Sequence, residues 1–228
     1  MSTRKKTLLS WSSGKDSAWA LHTLQNDPTI ELVGLFTTLN QDAERVAMHG
    51  VRRELLRAQG RAAGLPVWEI DLPEHCSNEV YQEIMKEALV RVKAEQVEVM
   101  AFGDLFLEDV RDYRIDNMRG TGIEPQFPIW GIPTDELSKT MTSSGLSAIL
   151  SCVDPKQLDP SFVGRTYDDE LLTDLPEGVD PCGEKGEFHT FVTAGPMFSE
   201  PIDVTVGDKV ERGGFHFADI LPATGVRA

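Results

Sequence analysis

The chain has 228 residues, 40% of them hydrophobic and 26% charged, enough for one large domain or two small ones with a shared core. Its net charge of −15 argues against a nucleic-acid partner, because proteins that grip a phosphate backbone need clustered Lys and Arg side chains. No apolar run approaches the roughly 20 residues that span a bilayer, and the apolar run after the basic N-terminus is too short for a signal peptide. Three well-separated cysteines, Cys76, Cys152 and Cys182, indicate reduced thiols. We therefore expect a cytoplasmic protein without a membrane partner.

Strand-like and helix-like patterns alternate along the first half of the chain. Short apolar runs predict buried strands at 6–12, 30–36, 67–72 and 97–102. Helical periodicity lies between these runs, and Ser77 is a candidate N-cap for the longest of the predicted helices. Four strands separated by helices predict a doubly wound α/β fold, in which helices cover both faces of a parallel sheet.

The pattern changes after the first 133 residues. A helix is predicted at 134–144, and the segments that follow have the alternation of β-strands, with turn signals at Gly207-Asp208 and Gly213-Gly214. We therefore expect two domains, residues 1–133 and a smaller α+β domain at residues 134–228 that packs over the first.

The first predicted strand is followed directly by the segment Ser12-Ser13-Gly14-Lys15-Asp16-Ser17. In a doubly wound sheet this position faces the crevice at the carboxyl ends of the strands, where ligands bind. The N-terminus of a helix offers unpaired N–H groups and a partial positive charge to an anion. Gly14 lets the backbone approach an oxyanion, the three serine hydroxyls add donors, and Lys15 adds a cation. The segment therefore predicts a phosphate-binding loop.

Asp16 is the unusual member of this loop, because a carboxylate repels phosphate unless a divalent metal lies between them. Its presence indicates Mg²⁺ that bridges Asp16 to a polyphosphate. The segment is not a Walker A loop, which needs a glycine where Leu9 stands and Ser or Thr directly after the lysine. The alternative interpretation is a helix cap without a ligand, and the position directly after a buried strand disfavours it.

Two further segments carry candidate site residues. Gly103-Asp104 follows the fourth predicted strand, which neighbours the first in a sheet of order 3-2-1-4, so both residues are expected across the crevice from the loop. Glu108 and Arg111 follow on one side of a helix, for which a solvated salt-bridge face is the alternative. The second domain contains the segment Gly183-Glu184-Lys185-Gly186-Glu187-Phe188-His189-Thr190. Its glycines and carboxylates predict a loop that binds an amine, ammonium or a metal-bound phosphate, and an acidic turn is the alternative.

Residues 12–17 resemble the pyrophosphate-binding motif Ser-Gly-Gly-x-Asp-Ser of the N-type ATP pyrophosphatases, with Ser13 where that superfamily usually has glycine. Together with Gly103-Asp104, Glu108 and the 183–190 segment, the motif resembles the diphthine–ammonia ligase family and its bacterial relatives. The segment Met48-His49-Gly50-Val51 is also similar to a family segment near the mouth of the site. The resemblance implies an adenine nucleotide alpha hydrolase-like (HUP-type) fold and, by analogy, a homodimer.

The resemblance further implies an ATP-dependent ligase that forms an amide bond. A carboxylate on a small molecule or a modified protein side chain would attack the α-phosphorus of ATP, and ammonia would then displace AMP. Catalytic roles would fall to Lys15, Asp16, Glu184 and Glu187, with Mg²⁺ on Asp16. ATP would be bound by Ser12, Ser13, Gly14, Lys15, Asp16, Ser17, Thr37, Gly103 and Asp104. The substrate would be bound by His49, Glu108, Arg111, Gly183, Glu184, Gly186, Glu187 and His189.

Two other functions stay open on the sequence alone. RNA thiolation uses related loops, but it predicts a basic surface and a catalytic cysteine pair, and the charge of −15 disfavours it. Cys182 adjoins the 183–190 segment, where a role in sulfur transfer requires a low thiol pKa. A non-enzymatic nucleotide sensor predicts ATP binding without turnover, and the presence of Asp16, Glu184 and Glu187 disfavours it.

Overall fold

The structure is a computed structural model that describes residues 4–41, 45–46, 50–73 and 75–223. The strands of its first sheet are β1 (Lys5–Ser10), β2 (Ile30–Asn40), β3 (Arg45–Val46), β4 (Val67–Leu72), β5 (Val99–Ala101) and β6 (Glu124–Gln126). The helices that connect them are α1 (Lys15–Gln25), α2 (Arg53–Ala63), α3 (Asn78–Ala94) and α4 (Glu108–Met118). In the described part of the chain, no helix is both long and apolar enough to cross a membrane.

The first sheet has the parallel order β4-β2-β1-β5-β6, and the short β3 runs antiparallel to the end of β2. Neighbouring side chains on β1 point to opposite faces, so Leu9 packs with α1 and α2, whereas Leu8 packs with α3 and α4. Helices therefore cover both faces of a mostly parallel sheet. The predicted α/β fold is confirmed, and β1 and β5 are neighbours as the order 3-2-1-4 requires.

The second sheet is antiparallel, with the order β10-β11-β7-β8 and β9 paired to β7. Its elements are α5 (Thr134–Ser143), β7 (Ser147–Val153), β8 (Thr166–Tyr167), α6 (Asp169–Asp174), β9 (Phe188–Ala194), β10 (Val204–Arg212) and β11 (Phe215–Pro222). Gly213-Gly214 forms the two-residue turn between β10 and β11, as predicted, with positive φ at both residues. The turn predicted at Gly207-Asp208 is wrong: β10 continues through it with a bulge, and a side chain on Gly207 would crowd the Asp219 carbonyl at 3.0 Å.

The second sheet packs against α1 and the loop that precedes it. The N–H of Val192 on β9 donates to the Ser13 carbonyl at 3.0 Å, and the Lys15 N–H donates to the Thr190 hydroxyl at 3.0 Å. Gln59 on α2, fully buried, donates to the carbonyls of both Ser13 and Val192 at 3.0 and 2.9 Å. These bonds fix residues 12–17, which we call the phosphate loop, between the two sheets.

Candidate active site

The turn between β1 and α1 lies at a cavity of about 390 Å³. Within this turn Ser13 has a φ of +72°, a left-handed conformation that glycine adopts without steric cost. Its hydroxyl is buried and has no hydrogen-bond partner in the part of the chain that the structure describes. The conformation explains why the related motif has glycine here, and it assigns to Ser13 a backbone role: its carbonyl anchors the loop to Gln59 and Val192.

Hydroxyl groups hold the phosphate loop in shape. The Ser12 hydroxyl lies 3.1 Å from the Ser17 hydroxyl and accepts a hydrogen bond from the Gly14 N–H at 3.3 Å. The Ser17 hydroxyl donates to the Gly14 carbonyl at 2.9 Å. Both serines line the cavity at the N-terminus of α1, where the helix dipole favours an anion. This arrangement fits the pyrophosphate end of ATP.

The Lys15 ammonium is directed toward the second sheet. It lies 2.9 Å from the Asp16 carboxylate, donates to the Cys182 carbonyl, and sits 5.6 and 5.4 Å from the ring centres of Tyr167 and Phe188. Burial disfavours the charged form, but the Asp16 carboxylate and other nearby groups outweigh burial, so the pKa of Lys15 is raised. The charged ammonium therefore joins the phosphate loop to the loop before β9.

Three carboxylates, those of Asp16, Asp104 and Glu184, line the same cavity. Burial is the main cause that raises the pKa of each. Arg114, with its Nε 3.6 Å from Asp104 Oδ2, partly offsets the effect there. For Glu184 the charge of Asp16 adds to burial and raises the pKa to about 7, although the Leu105 N–H donates to its carboxylate at 2.9 Å. Burial therefore favours the neutral form of these carboxyl groups, and Glu184 changes charge near neutral pH.

The two glutamates of the loop before β9 have different surroundings. Gly183 and Gly186 give the loop its turns, with φ of +65° and +85°. Glu187 is buried, and its two carboxylate oxygens accept hydrogen bonds from the main-chain N–H groups of Asp180 and Lys185, each at 2.9 Å. Glu187 therefore holds the loop in shape, whereas Glu184 faces the cavity.

Comparison with known families agrees with this site. Residues 5–124, more than half of the chain, match the family described as the diphthamide synthase N-terminal domain. The chain belongs to the diphthamide synthase family. Residues 133–223 match the family described as the diphthamide synthase C-terminal domain.

The curated relatives of this chain are longer proteins. Diphthine–ammonia ligase of Homo sapiens is 27% identical over 151 residues, which cover 64% of this chain and 56% of the relative. Diphthine–ammonia ligase of Danio rerio is 32% identical over 145 residues, or 60% of this chain and 56% of the relative. The chain spans about half the length of the curated relatives it matches.

Side chains alternate between the two faces of β2, and this alternation decides which of its two neighbouring threonines faces the cavity. Thr37, predicted to bind ATP, is buried, and its hydroxyl donates to the Trp11 carbonyl at 2.8 Å. Thr38, which sequence reasoning missed, lines the cavity, because successive side chains of a strand point to opposite faces. Gly103 also lines the cavity, and a Cβ on it would lie 2.9 Å from the Ser17 nitrogen. Its lack of a side chain lets the end of β5 approach α1.

Residues from the second sheet complete the cavity wall. His189 lines the cavity, and burial lowers its pKa to about 4, so the imidazole is neutral at pH 7. Asp180, which sequence reasoning also missed, is outside this lining and supports the loop before β9: it accepts hydrogen bonds from the N–H of Cys182 and from the Thr134 hydroxyl, each at 2.8 Å. An aspartate followed by Pro-Cys-Gly is a turn signal that could have found it.

Some of the predicted substrate residues do not line the cavity, among them Gly186 and Glu187 of the loop before β9. Glu108 is exposed at the start of α4 and is not in the lining of the cavity. Arg111, also absent from that lining, lies over the Trp130 ring with its guanidinium carbon 4.5 Å from the ring centre. His49 falls outside the described residues. Substrate binding by these residues stays a prediction.

Proposed function

We propose that this chain is an ATP-dependent, AMP-forming ligase that joins ammonia to a carboxylate acceptor. An oxygen of the acceptor carboxylate attacks the α-phosphorus of ATP, and the bond to pyrophosphate breaks. The nitrogen of ammonia then attacks the activated acyl carbon, AMP leaves, and one proton is released from nitrogen. The name of the curated relatives joins diphthine with ammonia, which supports ammonia as the nitrogen donor.

The observation that carries the proposal is the meeting of the phosphate loop and Glu184 in one cavity. The N-terminus of α1, which the Ser12 and Ser17 hydroxyls hold in shape, offers a fixed dipole to the leaving pyrophosphate, as such dipoles do for a developing oxyanion. Glu184 lines the same cavity with a pKa of about 7. A carboxyl group that titrates near neutral pH is suited to hold ammonium and to accept a proton from the attacking nitrogen.

Asp16 fits a magnesium site that is completed by the phosphates of the substrate. Among the described residues, no group of three or more His, Cys, Asp or Glu side chains is arranged to hold a metal ion. Mg²⁺ is commonly bound through one or two carboxylates together with substrate phosphates. Asp16, beside the phosphate loop, would supply such a carboxylate, and the ion would neutralise charge on the leaving pyrophosphate.

The buried cysteines argue against sulfur transfer to RNA as the function. Burial raises the pKa of both Cys152 and Cys182 to about 12. A thiol must lose its proton to act as a nucleophile, so neither side chain is poised for that chemistry at neutral pH.

The products of ATP turnover test the proposal. Wild type is incubated with ATP, Mg²⁺, ammonium and a pool of carboxylates, and we expect AMP and pyrophosphate. Asp16→Ala and Glu184→Ala are expected to lose this activity, whereas Glu177→Ala, on an exposed loop, is the matched control that retains it. ADP and phosphate as products would contradict the mechanism, and ATP binding without turnover in every pool would favour a nucleotide sensor.

A further inference from the structure

A second concave surface lies beside the active-site cavity, between α3 and α4. It has a volume of about 430 Å³, and we call it the α3–α4 groove. Its apolar floor is formed by Met85, Leu89, Phe102 and Met118. The same four side chains line the active-site cavity, so the two spaces adjoin.

The charge of the groove is opposite to that of the chain. The net charge of the chain is −15, yet the described residues that line the groove include Lys86, Lys93 and Arg114 and no Asp or Glu. The α3 carboxylates Glu83 and Glu87 lie outside this lining. Lys86 and Lys93 are exposed, and neither forms an ion pair with any residue that the structure describes. The groove therefore favours an anion with an apolar body.

Arg114 lies where the groove meets the active-site cavity, because it lines both. Its guanidinium carbon is 5.0 Å from the Phe102 ring centre, and its Nε is 3.6 Å from Asp104 Oδ2. The two atoms form a long ion pair, because neither the Arg114 Nε nor the Asp104 Oδ2 makes a hydrogen bond within the described part of the chain. A guanidinium has five N–H donors, so the pair with Asp104 leaves others whose planar geometry matches a second carboxylate.

We propose that the α3–α4 groove binds the acceptor, an amphipathic carboxylate whose apolar body packs on Met85, Leu89 and Met118 and whose charged end meets Arg114. The inference rests on the proposed function, since it names the class of acceptor that the ligase would activate. A carboxylate at Arg114 lies at the edge of the cavity that contains the phosphate loop. The adenine base of ATP is a poorer occupant, because it is neutral and offers no charge to the three cations of the groove.

Methionine methyl groups report directly on the groove. The chain is isotope-labelled at its methionine methyls, and phenylbutyrate, phenylbutyramide and butyrate are titrated while the NMR signals are followed. We expect phenylbutyrate to shift the signals of Met85 and Met118, and not those of the core residues Met141 and Met197. Loss of the carboxylate in phenylbutyramide is expected to weaken binding about tenfold, and loss of the apolar body in butyrate is expected to weaken it as well.

Variants test the role of Arg114. Arg114→Gln is expected to weaken phenylbutyrate binding about tenfold. Arg119→Gln, which removes an exposed arginine paired with Asp116, is the control that leaves binding unchanged. The comparison of phenylbutyrate with its amide on wild type does not depend on the folding of any variant.

Three results would overturn the inference: no shift at Met85 or Met118, equal affinity for the acid and the amide, or displacement of phenylbutyrate by AMP. The last result would make the groove part of the nucleotide site. The titration requires no ATP turnover, so its failure leaves the product test of the proposed function untouched. Conversely, ADP formation in the product test, together with phenylbutyrate binding in the groove, would contradict the proposed ligase mechanism and leave the proposed binding site standing.

Discussion

The main-chain N–H of Leu105 donates a hydrogen bond of 2.9 Å to the Glu184 carboxylate, and this bond joins the loop after β5 to the loop before β9. It favours the charged carboxylate, but burial and the neighbouring Asp16 charge outweigh it and raise the pKa of Glu184 to about 7. Glu184 is therefore held at the meeting point of the two sheets in a state that changes charge near neutral pH.

The rate of AMP formation should follow the titration of Glu184. Only the carboxylate accepts a proton, so the wild-type rate is expected to rise with pH through a midpoint near the Glu184 pKa of about 7. Glu184→Gln should lose this rising limb and reduce the rate by about 10²–10⁴-fold. Initial rates across the neutral range, at a fixed concentration of un-ionised ammonia and with Glu177→Gln as the matched control, provide the measurement. A rising limb that persists in Glu184→Gln would assign the titration to another group.

The same carboxyl should alter the dependence of stability on pH. Its pKa is raised from 4.5 to about 7, so the folded chain holds this proton more tightly than the unfolded chain. The stabilisation that this bound proton gives to the folded chain is therefore fully present below the pKa of Glu184 in the unfolded chain. It is lost as pH rises through the pKa of Glu184 in the folded chain. Urea unfolding at pH 5 and pH 8 should show Glu184→Gln gaining stability relative to wild type at the higher pH. An equal difference at both values would mean that Glu184 has an ordinary pKa.

Local sequence patterns were sufficient to predict the elements that build the site. The alternation of apolar runs and helices gave the strand neighbours correctly, and the chain topology then brought residues 12–17 and Gly103-Asp104 to one edge of the sheet. The sequence of β2 does not show which of its side chains point to which face of the sheet, because a continuous apolar run has no polar–apolar alternation to mark the two faces. Thr38 rather than Thr37 lines the cavity for that reason.

The roles of individual loop residues depended on distant partners. Glu184 and Glu187 lie three positions apart in a glycine-rich segment, and nothing local distinguishes the glutamate that binds main-chain N–H groups from the one that faces the cavity. The motif of Lys15 predicts that it binds phosphate. Its ammonium instead contacts the Cys182 carbonyl and the Tyr167 ring, which are distant in the sequence.

Removal of the Lys15 ammonium should affect stability strongly. Lys15→Met leaves the Asp16 carboxylate without the cation 2.9 Å away, and loss of one partner of a buried pair costs about 3 kcal/mol of unfolding free energy. Lys15→Met combined with Asp16→Asn should recover part of that loss. Urea unfolding measures the stability, and calorimetric titration measures ATP affinity. Unchanged stability with a large loss of ATP affinity would instead make Lys15 a phosphate ligand.

Glu187 should behave as a structural residue of the loop. A glutamine has one acceptor oxygen, so Glu187→Gln loses one of the two bonds to Asp180 and Lys185 and presents an N–H to the other donor. We expect a loss of about 2 kcal/mol in unfolding free energy. The pH dependence of AMP formation should keep its rising limb, in contrast to Glu184→Gln. Wild-type stability combined with a lost limb would make Glu187 the proton acceptor.

Ser13→Gly should stabilise the chain. The φ of +72° strains a serine by about 1 kcal/mol or more, and its buried hydroxyl has no hydrogen-bond partner in the described residues. Glycine relieves both, and its greater freedom in the unfolded chain offsets part of the gain. We expect a net increase of about 1 kcal/mol in the free energy of unfolding, or a Tm higher by about 2–4 °C.

Ser13→Ala separates the two effects, because it removes the hydroxyl and keeps the strained backbone. Calorimetric melting of the three chains should therefore place alanine between serine and glycine, and a Tm that falls in Ser13→Gly would show that the hydroxyl stabilises the loop.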